Sequence, residues 1–275
     1  MSRLRIGFSP CPNDTFIFDG LVHGKIDTEG IEFEPYLADV EELNKMAFEG
    51  VLDITKLSYH AFFHALETYV MLDSGSALGN NCGPILIKNR GQKSLNKNDL
   101  IAIPGKYTTA NFLLNYTYPY PKMCKKMLFS DIEKALETNE VSAGLIIHEN
   151  RFTYQDKGFE KVKDLGAYWE QNTGMPIPLG GIAIKRSIDR SLQEKVQRLV
   201  RMSIEFAREN PTESYDFVRD HAQEIDENVI QKHINLYVND YSIALGEIGK
   251  SAIIKMYNFS IDNHLTIASN KDLFL

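Results

Sequence analysis

Short apolar runs alternate along this chain with longer stretches of helical period, the pattern of an α/β protein organised on a largely parallel sheet. Residues 4–8 predict a strand, and Asp14 then reads as the cap of a helix over 15–23 that Gly24 ends. A second strand follows at 31–35. The helix over 40–48 sets Leu43, Met46 and Ala47 on one face before Gly50 stops it. Residues 52–55 predict a strand running into Lys56-Leu57-Ser58, with a helix after it through Leu66. The runs at 69–72 and 84–87 flank a Gly- and Asn-rich stretch, 74–81, that composition marks as a loop and a passage between lobes.

Further along, the strand at 100–103 stops at Pro104-Gly105, and Thr108 or Thr109 caps a helix that ends before Pro119. Ser130-Asp131-Ile132-Glu133 fits a capping box. Residues 143–147 form an uninterrupted buried-strand run whose first polar successor is His148, and 161–165 make a weaker strand before Trp169. A strand at 180–185 leads back toward the first lobe, after which the pattern turns helical. Leu192, Val196, Leu199, Met202 and Phe206 keep the spacing of one buried face, with two or three more helices reaching Phe259. These passages divide the chain into a first lobe of 1–88 plus 182–275 and a second of 89–181.

Composition narrows what such a protein does. At 275 residues and 43% hydrophobic content, the chain buries a core without disulfide or metal staples. Thirty basic residues against 37 acidic ones, scattered and summing to −7, argue against a nucleic-acid partner. No run approaches the roughly 20 apolar residues of a membrane span. The first apolar run stops at Pro10-Cys11-Pro12, short of a signal-peptide core, and Cys11, Cys82 and Cys124 form neither CxxC pairs nor an even framework. The expected compartment is the cytoplasm. A homodimer is left open.

Candidate chemistry gathers after predicted strands, where loops and helix N-termini present N–H groups to ligands. Four clusters lie there: 9–15, 55–58, 105–109 and 148–151. His148 is the best candidate base because an imidazole carries protons near neutrality; the plain alternative is a histidine that caps its strand. Glu149 and Arg151 are weaker candidates. Thr108 and Thr109 suit a carboxylate or, equally, serve as ordinary N-caps. Ser58 and Lys56 raise the same choice, and Lys56 on the plain reading only covers surface. Asn13 turns the chain or reaches ligand hydroxyls, and Cys11 is structural. His60 and His64, four apart, sit on an amphipathic helix and predict no metal; His221 and His233 are packing or surface residues. The chain has no GxGxxG after its first strand, no GxxxxGK[ST] and no GxSxG, which removes dinucleotide, P-loop and α/β-hydrolase readings.

Taken together, 7–16, 55–59, 105–110 and 143–154, with 164–170 and 237–239, resemble the 1,4-dihydroxy-6-naphthoate synthase family of the futalosine route to menaquinone. The resemblance implies a two-lobed periplasmic-binding-protein-like fold of type II, with mixed sheets flanked by helices and a ligand cleft between the lobes. It also implies a small-molecule substrate, cyclic dehypoxanthinylfutalosine, cleaved at a carbon–carbon bond without a cofactor. His148 matches the family's proposed general base, while Ser58, Thr108, Thr109 and Asn44 match substrate contacts. Two other functions stay open on the same fold: a ligand-binding module without catalysis, and a dehydratase acting on a chorismate-type carboxylate.

Overall fold

Apolar spacing carries directly into the computed structural model, which describes residues 2–120, 122–223 and 226–275. In chain order its elements begin β1 (Ser2–Phe8), α1 (Pro12–Val22), β2 (Ile31–Leu37), α2 (Val40–Phe48), β3 (Ile54–Ser58), α3 (Tyr59–Phe62), β4 (Tyr69–Met71) and β5 (Ala77–Gly79). Then come β6 (Ile85–Asn89), β7 (Leu100–Ile103), α4 (Thr109–Thr117), β8 (Met123–Lys126), α5 (Ile132–Glu137), β9 (Ala143–Ile146), α6 (Asn150–Thr153), β10 (Phe159–Asp164) and α7 (Leu165–Thr173). Strand β11 (Ile177–Lys185) precedes α8 (Arg190–Glu209), α9 (Tyr215–His221), α10 (Glu227–Tyr237), α11 (Asp240–Ile243) and α12 (Gly246–Asp262).

The chain divides into two units, one formed up to Gly79 and from Pro178 onward, the other Asn80–Ile177. The expected limits at 88 and 182 thus move to 79 and 178. Strand β6 pairs with β9 and β10, which draws the residues before it into the second unit, whereas Gly180 and Gly181 pair with Ser58 and Leu57 in the first.

The first unit carries a sheet ordered β2-β1-β3-β11-β4, with β5 on β11. Strand β1 runs parallel to β2 and β3, but β11 is antiparallel to β3 and β4, so the sheet is mixed rather than largely parallel. Its core joins Ile6 and Phe8 of β1 to Ile17, Phe18 and Leu21 of α1, and Phe8 stacks on Phe18 at 4.4 Å. Helix α8 supplies Val196 and Leu199 to the same cluster, as its spacing predicted, with Leu192 and Met202 partly buried against it; Val200 and Ile204 join them in place of Phe206, so the buried face is turned from the one expected. Each such aliphatic side chain stabilises by about 1.5–3 kcal/mol when buried. Among the described residues four further helices follow α8, where two or three were expected.

The second unit is built on β10-β6-β9-β7-β8, again mixed. Period-two alternation on β6 sends Ile85 and Ile87 into a cluster with Ala102, Ile146 and the Ile132 and Leu136 side chains of α5. Just before β6, Gly83 meets Gly166 of α7 backbone to backbone. A Cβ at Gly83 would lie 2.4 Å from the Gly166 Cα.

Several local expectations change. Helix α1 starts at Pro12, not after Asp14: the proline ring presets φ for a first turn, so Cys11 becomes the N-cap. Gly24 does end the helix, at φ +64°. No capping box forms at 130–133, because the chain already turns as a 3₁₀ segment through Phe129–Asp131 and leaves no extended N-cap residue there. The stretch 74–81 holds the short strand β5, and β8 was not signalled by its mixed, exposed sequence. The helix expected through Leu66 is a single turn, α3, that ends at Phe62.

Candidate active site

In the first unit the polar groups converge on one buried carboxylate. Pro12 at the helix start leaves Asp14 in the first turn of α1, where a negative charge is favoured by the helix dipole. Its Oδ2 accepts the Ser9 backbone N–H at 3.2 Å and the Ser9 hydroxyl at 2.7 Å. Its Oδ1 accepts the Asn13 amide at 2.7 Å and the Lys56 ammonium at 2.7 Å. Asp14 is 2% exposed and Lys56 5%, so the pair is withdrawn from water, and Lys56 is not a surface cover. A buried ion pair of this kind persists only where the remaining lone pairs and protons are met. Lys56 Nζ also donates to the Gly75 carbonyl at 3.2 Å; Gly75 takes φ +94°, a conformation that glycine adopts without strain. The third ammonium proton has no acceptor among the described residues.

Because side chains alternate along a strand, Lys56 and Ser58 share one face of β3. Ser58 is joined to Asn44 of α2 twice: its N–H donates to Asn44 Oδ1 at 3.1 Å, and its Oγ accepts Asn44 Nδ2 at 3.3 Å. Asn44 also donates to Glu41 at 3.3 Å, so both ends of its amide are occupied by protein. The Ser58 hydroxyl proton has no acceptor among the described residues. Next to it, the Tyr59 phenol lies 2.5 Å from Ser76 Oγ, and burial pushes its ionisation above the ordinary tyrosine range.

The second unit holds the other candidates. Thr108 is extended, accepts the Asn111 N–H at 3.2 Å and donates to the Gly105 carbonyl at 3.0 Å, so its hydroxyl is engaged as the N-cap of α4. Thr109, 3% exposed, opens the helix beside it. His148 follows β9 by two residues with φ +58°, in the left-handed region that costs a non-glycine residue on the order of 1 kcal/mol. Its imidazole packs on the Phe129 ring at 4.7 Å. Glu149 is buried, and Arg151 donates to the Gly83 carbonyl. His60 and His64 meet edge to face at 5.4 Å in and just beyond α3.

The structure therefore brings Lys56 to Asp14 and Asn13, and Ser58 to Asn44, in one unit; it sets Thr108 and Thr109 on α4 and His148 after β9 in the other. Sequence reasoning missed Asp14 as the organising acid, Ser9 as its partner and His233 as a neighbour of Asn13, at 2.8 Å. The signal for Asp14 was Pro12, whose preference for a first helical turn moves the N-cap back to residue 11.

Two α/β units on mixed sheets place the chain in a known class. A ligand-binding component of an ABC-type import system from Staphylococcus aureus superposes with a TM-score of 0.74 at 12% identity, covering 100% of this chain and 96% of its own. The periplasmic aliphatic sulphonate binding protein of Escherichia coli gives 0.67 at 13%, over 99% and 91%. The fold is that of the periplasmic binding proteins. Kinship at sequence level is narrower: a family model described as menaquinone biosynthesis matches residues 4–260, and the chain belongs to that family. The 1,4-dihydroxy-6-naphthoate synthase of Thermus thermophilus is 42% identical over 275 residues, all of both chains. The Streptomyces coelicolor protein of the same name is 39% identical over 255 residues, 91% of this chain and 90% of that one. A protein of solved crystal structure from Archaeoglobus fulgidus superposes with a TM-score of 0.91 at 35% identity, over 96% and 98%.

Proposed function

We propose that this chain is a carbon–carbon lyase that converts cyclic dehypoxanthinylfutalosine to 1,4-dihydroxy-6-naphthoate, with His148 as the general base. The observation that carries the base assignment is the backbone of His148. A residue held at φ +58° two positions after the buried strand β9 bears a local strain of the kind that functional positions retain. The full-length likeness to two synthases of that name supports the substrate.

Cleavage that leaves an aromatic ring is redox-neutral and asks for two things: removal of a proton, and donors for the oxygen on which charge develops. His148 meets the first demand. For the second we assign the unused ammonium proton of Lys56 and the hydroxyl proton of Ser58, with Thr109 as a further contact. Asn44 acts by fixing Ser58, Asn13 by fixing Asp14, and Thr108 by capping α4. Three cysteines, an odd number with no CxxC spacing, fit a reducing compartment, and we place the reaction in the cytoplasm. No helix among the described residues is long and apolar enough to cross a membrane.

The test is His148→Asn, because asparagine tolerates the left-handed backbone while removing the proton carrier. Supplied with the cyclic substrate, the wild type releases naphthoate, and the variant loses about 10²–10⁴-fold in kcat. Turnover near that of the wild type removes His148 from the role. Chorismate serves as the control substrate: its dehydration, with no naphthoate from the cyclic compound, replaces the lyase by a dehydratase.

A further inference from the structure

Lys56 is asked to present a charged donor from a place where almost no water reaches it, and what holds it there lies partly in a distant helix. Asp14 accepts four donors, two on each oxygen. A carboxylate only accepts, so the nitrogen of the Asn13 amide faces Asp14 and its oxygen faces α10. There His233 Nε2 stands 2.8 Å from Asn13 Oδ1, on a side chain with no exposed surface. The Nε2 atom must then carry a proton and donate it to Asn13. The His233 ring also packs on Tyr237 at 4.6 Å, one helical turn further along α10. A continuous line runs from His233 through Asn13 and Asp14 to Lys56, joining residues 220 apart in sequence at its first link.

We infer that His233 is a positioning residue for Lys56: through Asn13 it fixes the rotation of the Asp14 carboxylate, and so the direction of the ammonium that Asp14 holds. Without the His233 bond the Asn13 amide is free to turn and Asp14 Oδ1 loses one of its two donors, so on that side only Lys56 restrains the carboxylate and the ammonium direction is less closely fixed. Buried hydrogen-bonded chains polarise and constrain one another, so the loss at one end is felt at the other. This role rests on the lyase reading for what Lys56 does, but not for where Lys56 is held.

Two readouts separate the inference from a plain packing role. The first is the rate at which an amine-acylating reagent modifies Lys56 in the folded protein, followed by peptide mass spectrometry. The second is kcat and KM for the cyclic substrate. In His233→Ala, with folding verified by its melt, Lys56 modification is expected to rise about tenfold and KM by a similar factor, the size of a broken buried polar coupling. His233→Gln, whose amide nitrogen reaches the Nε2 position, restores both to within about threefold. Adding His233→Ala to Lys56→Met costs no further activity. If His233→Ala does not fold, Asn13→Ala is measured in its place with the same expectation. Unchanged Lys56 labelling in a folded variant, or additive losses in the double variant, overturns the inference. A wild type that forms no naphthoate overturns the lyase reading instead, and the labelling arm still decides the fate of His233.

Discussion

The imidazole of His148 rests on the phenyl ring of Phe129, with centroids 4.7 Å and planes 58° apart. Phe129 opens the 3₁₀ turn before α5 and is 6% exposed, so the ring is a fixed wall for a side chain whose own backbone leaves the strand in a left-handed turn. Phe129→Ala removes that wall. If His148 is the base proposed above, the expected result is a fall in kcat of about tenfold to a hundredfold with a smaller change in KM, since misplacement of such a group acts on the reacting step. Phe129→Leu, which keeps bulk, retains more of it. Steady-state kinetics on both variants check the order.

The Lys56 and Asp14 pair predicts a stability pattern. Asp14→Asn leaves a buried ammonium without its counter-charge, and Lys56→Met leaves a buried carboxylate; each costs about 3–5 kcal/mol. The double variant buries neither charge, so its cost falls below the sum of the singles. Denaturant unfolding of the four proteins measures the difference. Strict additivity would show that the two side chains do not share one interaction.

Thiol chemistry distinguishes the three cysteines. Burial pushes the Cys82 thiol up to about 12, and Cys11 is buried also, whereas Cys124 is exposed on β8. Thiolate is the reactive form, and the raised Cys82 keeps nearly all of its sulfur as the unreactive thiol at pH 8. A disulfide reagent added to the native protein is expected to titrate one thiol quickly, and three after denaturation. Peptide mapping identifies the fast one as Cys124.

Asp39 predicts a dependence on pH. It caps α2 through the Glu41 N–H at 2.9 Å, yet burial raises its carboxyl above the usual aspartate range. The folded state then binds the proton more tightly than the unfolded chain does. Its contribution is therefore full at pH below the unfolded value near 3.9 and is lost as pH rises through the folded one. Asp39→Asn keeps a capping oxygen and removes the charge. At pH 7 its melting temperature is expected to equal or exceed that of the wild type, and Asp39→Ala to lose about 1 kcal/mol with the cap. Thermal melts of the three proteins at pH 4 and 7 check both the sign and the ranking.

Much of the fold was legible because local and global signals agreed. Helix α2 ends where Gly50 predicts, and the α8 face follows its expected spacing through Val196 and Leu199, since each pattern serves a single core; at the far end Ile204 and not Phe206 enters it. Strands β5 and β8 were hidden for opposite reasons. The first is three residues inside a Gly-rich stretch, and the second is exposed along its whole length, so neither alternates. At the site, chemistry-bearing residues stood out by type, but their partnerships did not. The Asn44 tie to Ser58 spans 14 residues and the His233 tie to Asn13 spans 220, and periodicity carries no information across such gaps. His233 in particular keeps the spacing of an ordinary amphipathic helix.

Gly83 and Gly166 meet with no room for a methyl group on either side, because a Cβ at Gly83 reaches 2.4 Å and one at Gly166 reaches 2.7 Å from the other's Cα. Mutational drift therefore has no way around this pair. A larger residue at one position finds its partner already at the smallest size, so a second change cannot make space, and only a shift of the β6 entry away from α7 would. Lineages that keep this packing are thus expected to hold both glycines through divergence that rewrites the surface around them.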